Sequence, residues 1–118
     1  MQRTLIKDSV GKVGQTIKIN GWVNIRRDHG KLIFLDVRDR SGLIQAVINP
    51  KVSATAHETA SELRNEFVVE IEGVIKQRGE KQINPELETG NVELEAIKLI
   101  ILSKAKALPF EIDRKSVV

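Results

Sequence analysis

An aromatic side chain occupies the polar side of a predicted strand within residues 26–47, RRDHGKLIFLDVRDRSGLIQAV. The alternation of a strand puts Phe34 on the same side as Asp36 and Arg38, while the aliphatic residues between them share the other side. A flat ring in that position either packs into a pocket of its own or contacts a ligand. An unstacked nucleic acid base is one ligand that such a ring binds by stacking.

Three polar residues near Phe34 bear on this choice. Gln45 also points away from the core by alternation, and its amide offers a donor and an acceptor to the edge of a base. Arg26 and Arg27 come at the end of the preceding strand, within reach of phosphates. Taken singly, an outward Phe more often packs under a loop and an outward Gln is solvated. Together the four residues favour binding of single-stranded nucleic acid.

Five predicted strands position these side chains. Each alternates between apolar and polar residues, as half-buried strands do. The segments are 16–25, 31–39, 43–49, 67–78 and 92–102. DHGK and RSG form the first two turns, and residues 79–91 form an exposed loop. The core-facing residues of the first and third strands are predicted to be Ile17, Ile19, Val23, Ile25, Ile44, Ala46 and Ile48.

The period changes to that of a helix between the third and fourth strands. Ser53 begins the segment as a predicted N-cap. Its apolar stripe comprises Ala56, Ala60, Leu63 and Phe67. This is the one helix that the pattern predicts.

Glycines and one phase shift mark irregular places in the strands. Gly21 and Gly73 each interrupt a strand, which is typical of a bulge or a sharp coil. The apolar phase of the fifth strand runs through Ala96 and then moves to Ile97, Leu99 and Ile101. We therefore expect a bulge near Ala96.

This order of elements predicts an all-β fold with one helix, a five-stranded OB-fold barrel with the helix between strands 3 and 4. An SH3-like barrel would lack a helix at that place. OB-folds bind single strands mainly across strands 2 and 3, which carry Phe34 and Gln45. The residues alone lead to an OB-fold that binds single-stranded nucleic acid.

Composition narrows the function classes further. The 118 residues suffice for one domain, and the absence of cysteine excludes disulfides, thiolate metal sites and cysteine nucleophiles. The formal net charge of +3 is only a weak indication of an anionic partner. No apolar run approaches the length of about 20 residues that a membrane span needs, and the start lacks a secretory signal. We expect a cytoplasmic protein without a membrane partner.

Several motifs resemble one family closely. They are GWVNIRRDHGKLIFLDVRDRSGLIQAV, ASELRNEFVVEIEGVIKQR and NPELETGNVELE. Together they resemble the N-terminal anticodon-binding domain of bacterial-type aspartyl-tRNA synthetase, a class IIb aminoacyl-tRNA synthetase. The resemblance covers the chain from about Thr4 to about Pro109. RDRSGLIQ, LRNEFVVEIEG and TGNVELE are more specific to the aspartyl branch, whereas the asparaginyl and lysyl enzymes share the general pattern.

The resemblance implies a role for each matching residue in binding the anticodon loop. Phe34 would stack on the middle anticodon base, a uridine, and Gln45 would hydrogen-bond the edge of that base. Arg27 would contact the loop, and Glu93 would help to select the first anticodon base. Arg78 and Asn84 match a loop beside the anticodon.

One position departs from the family pattern. Three basic residues commonly follow GWVN, and here the first of them is Ile25. The contact of that residue with the RNA is then lost, or Arg26 compensates for it.

The resemblance also implies what lies outside this chain. Residues 1–109 would form the anticodon-binding domain, and residues 110–118 a tail or the start of a linker to a missing catalytic domain. The partner would be an aspartate-accepting tRNA, and the parent enzyme a homodimer. ATP and Mg²⁺ would serve the catalytic domain, while this fragment would have no cofactor, metal or catalytic residue and would be inactive alone.

Two other functions remain open at this point, and so does one aspect of specificity. The chain could be a free-standing OB module that binds single strands without tRNA specificity, or an interaction domain whose barrel docks a protein. The anticodons for asparagine and aspartate share the middle uridine, so the sequence leaves open whether tRNA for asparagine is also accepted.

Overall fold

A computed structural model describes residues 3–78 and 92–104 and confirms the predicted barrel. The strands are β1 (Thr16–His29), β2 (Leu32–Asp39), β3 (Gly42–Ile48), β4 (Val68–Gln77) and β5 (Val92–Ser103). The helix α1 (Ala54–Ala60) lies between β3 and β4. The predicted loop at 79–91, which contains Asn84, and the predicted boundary after residue 109 lie outside the described residues.

The sheet closes on itself in the order β1-β2-β3-β5-β4, with β4 paired to β1. Four of these pairings are antiparallel, whereas β3 and β5 run parallel. The parallel pairing sets Gln45 beside Glu93 and Ala46 beside Leu94. Closure leaves the five described strands without an open edge, because the last of them, β5, pairs with β3.

The interior is filled by aliphatic side chains from every strand, because alternate residues of each strand point inward. Predicted inward residues of β3, including Ile44 and Ile48, are fully buried. The largest fully buried side chains are Ile6, Ile19, Leu35, Ile44, Ile48, Leu63, Ile71, Ile75, Leu94, Val23, Val37 and Val69. The polar residues that alternate with them along each strand therefore lie on the outer surface of the barrel.

The prediction for the end of the first strand was wrong. β1 continues to His29, and its register against β2 shifts between Val23 and Ile25, so that Asn24 is an extra residue. A bulge of this kind reverses the alternation that follows it. Ile25 is consequently 42% exposed and not in the core as predicted.

The helix is shorter than its apolar stripe predicted. Ser53 caps it as expected, since its hydroxyl accepts a hydrogen bond from the Ala56 backbone N–H at 3.1 Å. Helical structure ends at Ala60, yet Leu63 remains buried in the core from the turn that follows. Glu66 has a positive φ of 75°, which a right-handed helix does not permit. The apolar stripe therefore predicted correctly that these residues contact the core, but only its first part, as far as Ala60, is helical.

The bulge expected near Ala96 is confirmed. The register of β4 against β5 shifts between Glu72 and Gly73, which pair with Lys98 and Ala96 and leave Ile97 as the extra residue. Ile97 was predicted to face inward, but it is 41% exposed because it is the bulged residue. Leu99 returns to the core beyond it.

A short 3-10 helix, Ile6–Lys12, was not predicted from the sequence. Ile6 enters the core with no exposed surface, and its backbone N–H donates to the Asp39 carboxylate at 2.9 Å. Asp39 also accepts from the backbone N–H groups of Ser41 and Gly42, which fixes the turn between β2 and β3. In the described part of the chain, no helix has the length and apolar character needed to cross a membrane.

Gly73 and Gly21 lie where strands approach too closely for a side chain. A Cβ at Gly73 would overlap the carbonyl oxygen of Glu95, and one at Gly21 would overlap that of Arg38. We expect Gly73→Ala to lower the free energy of unfolding by about 1–3 kcal/mol, because the backbone of β5 must move. Urea denaturation measures this change.

Gly11→Ala is the matched control, since a Cβ at Gly11 meets nothing within 4 Å. Its free energy of unfolding should change by less than about 0.5 kcal/mol. Equal stability of the two variants would contradict the close approach of β4 and β5 at Gly73.

Candidate nucleic-acid interface

An open cleft of about 490 Å³ lies on the outer surface of the barrel. It crosses β1, β2, β3 and β5, which carry four of the residues predicted to bind RNA: Arg27, Phe34, Gln45 and Glu93. Its lining is Arg27, Asp28, His29, Leu32, Phe34, Gln45, Val47, Arg78 and Glu93. Hereafter these residues are called the cleft.

Strand register explains why the cleft residues meet. Arg27 pairs with Phe34 across β1 and β2, and Asp36 pairs with Gln45 across β2 and β3. Gln45 pairs in turn with Glu93 of β5. Paired residues of neighbouring strands point to the same side of a sheet, so the five side chains form one continuous row.

Phe34 forms the apolar centre of the cleft. It is half-buried, and its cross-strand neighbour on β3 is Val47. The ring of His29 lies 6.5 Å from the ring of Phe34, centroid to centroid, at an angle of 44°. The aromatic ring is thus supported by its neighbours while it remains part of an open surface.

Arg27 is held by two neighbours within the row. Its guanidinium donates to both carboxylate oxygens of Asp36, at 3.0 Å and 2.9 Å. The second of these nitrogens also donates to the side-chain oxygen of Gln45 at 3.3 Å. The hydrogen bonds with Asp36 raise the pKa of Arg27 above its ordinary value, so the group stays charged but is locally neutralised.

Arg26 lies on the other side of β1, since it pairs with the buried Leu35. Its guanidinium donates to the backbone carbonyl oxygens of Ser61 and Leu63, at 3.0 Å and 2.9 Å, and to the carboxylate of Asp28. These contacts tie β1 to the turn after α1. The geometry therefore gives Arg26 a structural task outside the cleft.

Glu93 and Arg78 form a loose ion pair at the β5 side of the cleft. The Glu93 carboxylate lies 4.0 Å from the Arg78 Nε, and the two side chains are only 23% and 14% exposed. That Nε is buried, and no residue in the described ranges accepts a hydrogen bond from it. Burial raises the pKa of Glu93, while the charge of Arg78 opposes the rise. Both groups retain unused hydrogen-bonding capacity toward a ligand.

The structure brings five of the seven predicted site residues into one cleft: Arg27, Phe34, Gln45, Arg78 and Glu93. Arg26 lies outside the cleft, and Asn84 lies outside the described residues. The roles of all seven residues in RNA binding stay predictions. Sequence reasoning did not include Asp36 or His29 in the site. Alternation on β2 already put Asp36 beside Phe34, whereas His29 depends on the unpredicted extension of β1.

No metal site accompanies these groups in the described chain. Within residues 3–78 and 92–104, no three His, Cys, Asp or Glu side chains come together to hold an ion. The arrangement provides an aromatic surface, an amide, a carboxylate and two guanidinium groups. Such a set can stack on a flat ring and exchange hydrogen bonds with its edge.

Residues 17–102 match the tRNA anti-codon family, an OB-fold nucleic acid binding domain. Among relatives, the aspartate–tRNA(Asp/Asn) ligase of Thermodesulfovibrio yellowstonii is 50% identical over 107 residues, which are 91% of this chain and 18% of that protein. The enzyme of the same name from Anoxybacillus flavithermus is 48% identical over 104 residues, 88% of this chain and 18% of that protein. The chain thus spans about 18% of the length of these relatives.

Solved structures share the fold. Asparaginyl-tRNA synthetase from Pyrococcus horikoshii, complexed with asparaginyl-adenylate, superposes with a TM-score of 0.73 at 25% identity, covering 100% of this chain and 26% of that one. Aspartyl-tRNA synthetase from Entamoeba histolytica gives a TM-score of 0.78 at 20% identity, covering 92% and 23%. At 20% identity, the similarity to the second structure shows a shared fold and nothing more.

The ionisation of Glu93 provides a test of the cleft geometry. Because its pKa is raised by burial, we expect its carboxyl group to titrate above the ordinary value of 4.5. A carboxyl group of this kind favours folding most below the unfolded pKa, and the contribution is lost as the pH rises through the folded pKa. Side-chain ¹³C NMR of the free domain measures the midpoint.

Arg78→Gln is the directional control for this titration. It removes the positive charge that lowers the pKa of Glu93, so the midpoint should move further upward. A wild-type midpoint at or below 4.5 would contradict the burial of this carboxyl group.

Proposed function

The chain belongs to the tRNA anti-codon family of OB-fold nucleic acid binding domains, and from this premise we propose that the cleft binds the anticodon loop of an aspartate-accepting tRNA. One observation carries the proposal. Phe34, Gln45 and Glu93, which come from three different strands, converge with Arg27 and Arg78 in the same open cleft. These are the residue types that recognise unstacked bases in single-stranded RNA.

Phe34 supplies the stacking surface in this proposal. Its position on the outer face of β2, where Val47 and His29 are its neighbours, leaves a ring on which the middle base of the anticodon can lie. Stacking of a base on an aromatic side chain contributes about 1–3 kcal/mol to binding and is tolerant of sequence. Base choice must therefore come from the polar neighbours.

Gln45 and Glu93 supply that choice. Gln45 lies diagonally across from Phe34 on β3 and lines the same cleft, so its amide can meet the edge of the stacked base. When Glu93 is ionised, both of its carboxylate oxygens accept hydrogen bonds and neither donates one. A guanine presents two adjacent donors on its Watson–Crick edge, so it suits the carboxylate of Glu93 as the first anticodon base. Hydrogen bonding to the charged form would also offset the cost of burying that charge.

The arginines contribute less long-range attraction than their number indicates. Arg26 and Arg27 each donate to a carboxylate, Asp28 and Asp36 respectively. A phosphate that contacted either guanidinium would compete with these pairs. Any phosphate contact should weaken as salt rises, with a slope of about 0.7 in log K for each contact on a single strand.

In the full-length protein, we propose that this domain contributes tRNA recognition to ATP-dependent aspartylation of tRNA in the cytoplasm. The support is the similarity to relatives named aspartate–tRNA(Asp/Asn) ligase, of which the chain spans about 18%. ATP and Mg²⁺ would serve the remainder of such an enzyme, a homodimer, and this chain alone would be inactive. The relatives' name further supports acceptance of both the aspartate and the asparagine anticodon, GUC and GUU.

A titration with anticodon stem-loops tests the proposed function. We expect GUC and GUU loops to shift the amide signals of Phe34, Gln45 and Glu93 in ¹H–¹⁵N NMR spectra. A GAC loop, with a purine in the middle position, should bind roughly 5- to 150-fold more weakly, since one lost set of base contacts is worth about 1–3 kcal/mol. Equal binding of GUC and GAC would indicate a generic single-strand module, and no binding would indicate a partner other than this RNA.

Phe34→Ala separates binding from folding. Loss of the stacking surface should weaken binding of the GUC loop by roughly 5- to 150-fold, which corresponds to about 1–3 kcal/mol. The melting temperature should change little, because Phe34 lies outside the core. Fluorescence anisotropy and thermal unfolding measure the two quantities.

Leu35→Ala is the matched control on the adjacent, fully buried residue. It should lower the free energy of unfolding by about 2–5 kcal/mol. A collapse of the melting temperature in Phe34→Ala instead would place Phe34 in the core and refute the assignment of the binding face.

A further inference from the structure

Asp36 lies in the outer row between Arg27 and Gln45, although its side chain does not line the cleft. It is on β2, two residues from Phe34, and its side chain is 17% exposed. Its cross-strand neighbours are Ile25 on β1 and Gln45 on β3. Among the described side chains, only Arg27 donates hydrogen bonds to its carboxylate.

The pair formed by Asp36 and Arg27 has a fixed geometry. Both carboxylate oxygens accept from the two terminal nitrogens of the guanidinium, at 2.9 Å and 3.0 Å. A two-pronged contact of this kind restricts rotation of both side chains far more than a single contact does. Arg27 is thereby held over β2, with one N–H directed at Gln45 on β3.

The orientation of the Gln45 amide follows from the chemistry of Arg27. A guanidinium donates hydrogen bonds and cannot accept them. The group of Gln45 that faces Arg27 at 3.3 Å must therefore be its oxygen. The amide NH₂ is then turned away from Arg27, and among the described residues no hydrogen bond uses it.

We propose that Asp36 is a positioning residue which, through Arg27, holds the Gln45 amide with its NH₂ group available to the base. The cleft then selects a base with a carbonyl oxygen at the edge position that faces this NH₂ group over a base with an amino group at that position. The inference rests on the proposed function, because it concerns the base that Gln45 contacts. Uracil and cytosine differ in this respect at one edge position, where uracil has a carbonyl oxygen and cytosine an amino group.

Because Asp36 is charged, a positioning role can be distinguished from a general electrostatic effect on RNA binding. Removing a carboxylate from a surface that binds RNA makes that surface more positive, which strengthens binding of any RNA. Loss of a positioning contact has a different effect. The Gln45 amide becomes free to turn, either of its two groups can face the base, and the preference for one base falls.

The test compares Asp36→Asn with a matched control, Glu95→Gln. Both changes remove one negative charge from an ion-paired carboxylate on the outer surface; Glu95 pairs with Lys76 at 2.9 Å and does not line the cleft. Binding of GUC and GCC stem-loops would be measured by fluorescence anisotropy. The melting temperature and the backbone NMR spectrum of each variant verify folding.

The expected result is a loss of discrimination without a loss of affinity. The wild type and Glu95→Gln should prefer GUC to GCC by roughly 5- to 150-fold. In Asp36→Asn the ratio should fall to within about threefold, while GCC binds as tightly as to the wild type or more tightly. An unchanged ratio in Asp36→Asn would overturn the inference.

A second measurement needs no RNA. The order parameter of the Gln45 side-chain ¹⁵NH₂ group reports how firmly the amide is held in the free protein. It should be high in the wild type and in Glu95→Gln, and clearly lower in Asp36→Asn. Equal values in all three proteins would overturn the positioning role.

The two measurements distinguish failure of this inference from failure of the proposed function. If the wild type binds neither loop, the proposed function is overturned and base selection with it, while the order parameter still decides whether Asp36 holds Gln45. If the wild type binds GUC selectively but Asp36→Asn is equally selective, the proposed function stands and the role of Asp36 is refuted.

Discussion

The parallel pairing of β3 with β5 is the contact on which the rest of the molecule depends. It closes the barrel, and it sets Ala46 beside Leu94 inside and Gln45 beside Glu93 outside. Because alternate residues of a strand point in opposite directions, the same register that builds the core also aligns the polar row. Without this pairing, Phe34 and Gln45 would lose Glu93 as a neighbour, and the sheet would have two open edges.

A single extra residue decides which arginine belongs to the cleft. If β1 kept the alternation of its first half, Arg26 would point outward with Phe34, and Arg27 would point to the interior. The bulge at Asn24 reverses this order. Arg27 then joins the outer row, and Arg26 turns toward the carbonyl groups after α1. The resemblance implies that Arg27 contacts the anticodon loop, and the bulge is the physical reason that Arg27 lies in the cleft.

The cleft is better described as ordered than as basic. Each guanidinium in or beside it lies near a carboxylate: Arg26 near Asp28, Arg27 near Asp36 and Arg78 near Glu93. Paired charges attract RNA weakly at a distance, but they hold side chains in defined orientations. This explains how a chain with a net charge of only +3 can carry a site suited to reading bases. Selectivity would come from fixed donors and acceptors around an aromatic ring.

Local pattern by itself determined the fold class, the element order and most of the core. Alternation identified the inward residues of β2 and β3, the bulge near Ala96 and the outward positions of Phe34 and Gln45, since each depends on neighbours in the chain. Tertiary structure alone decided that β1 extends to His29, that Ile25 is exposed and that the helix stops at Ala60. It also decided that Asp36, Arg27 and Gln45 share one hydrogen-bonded group with Glu93 beside them. Those outcomes depend on which residues of neighbouring strands and turns come into contact, and the alternation within one segment does not specify its partner residues.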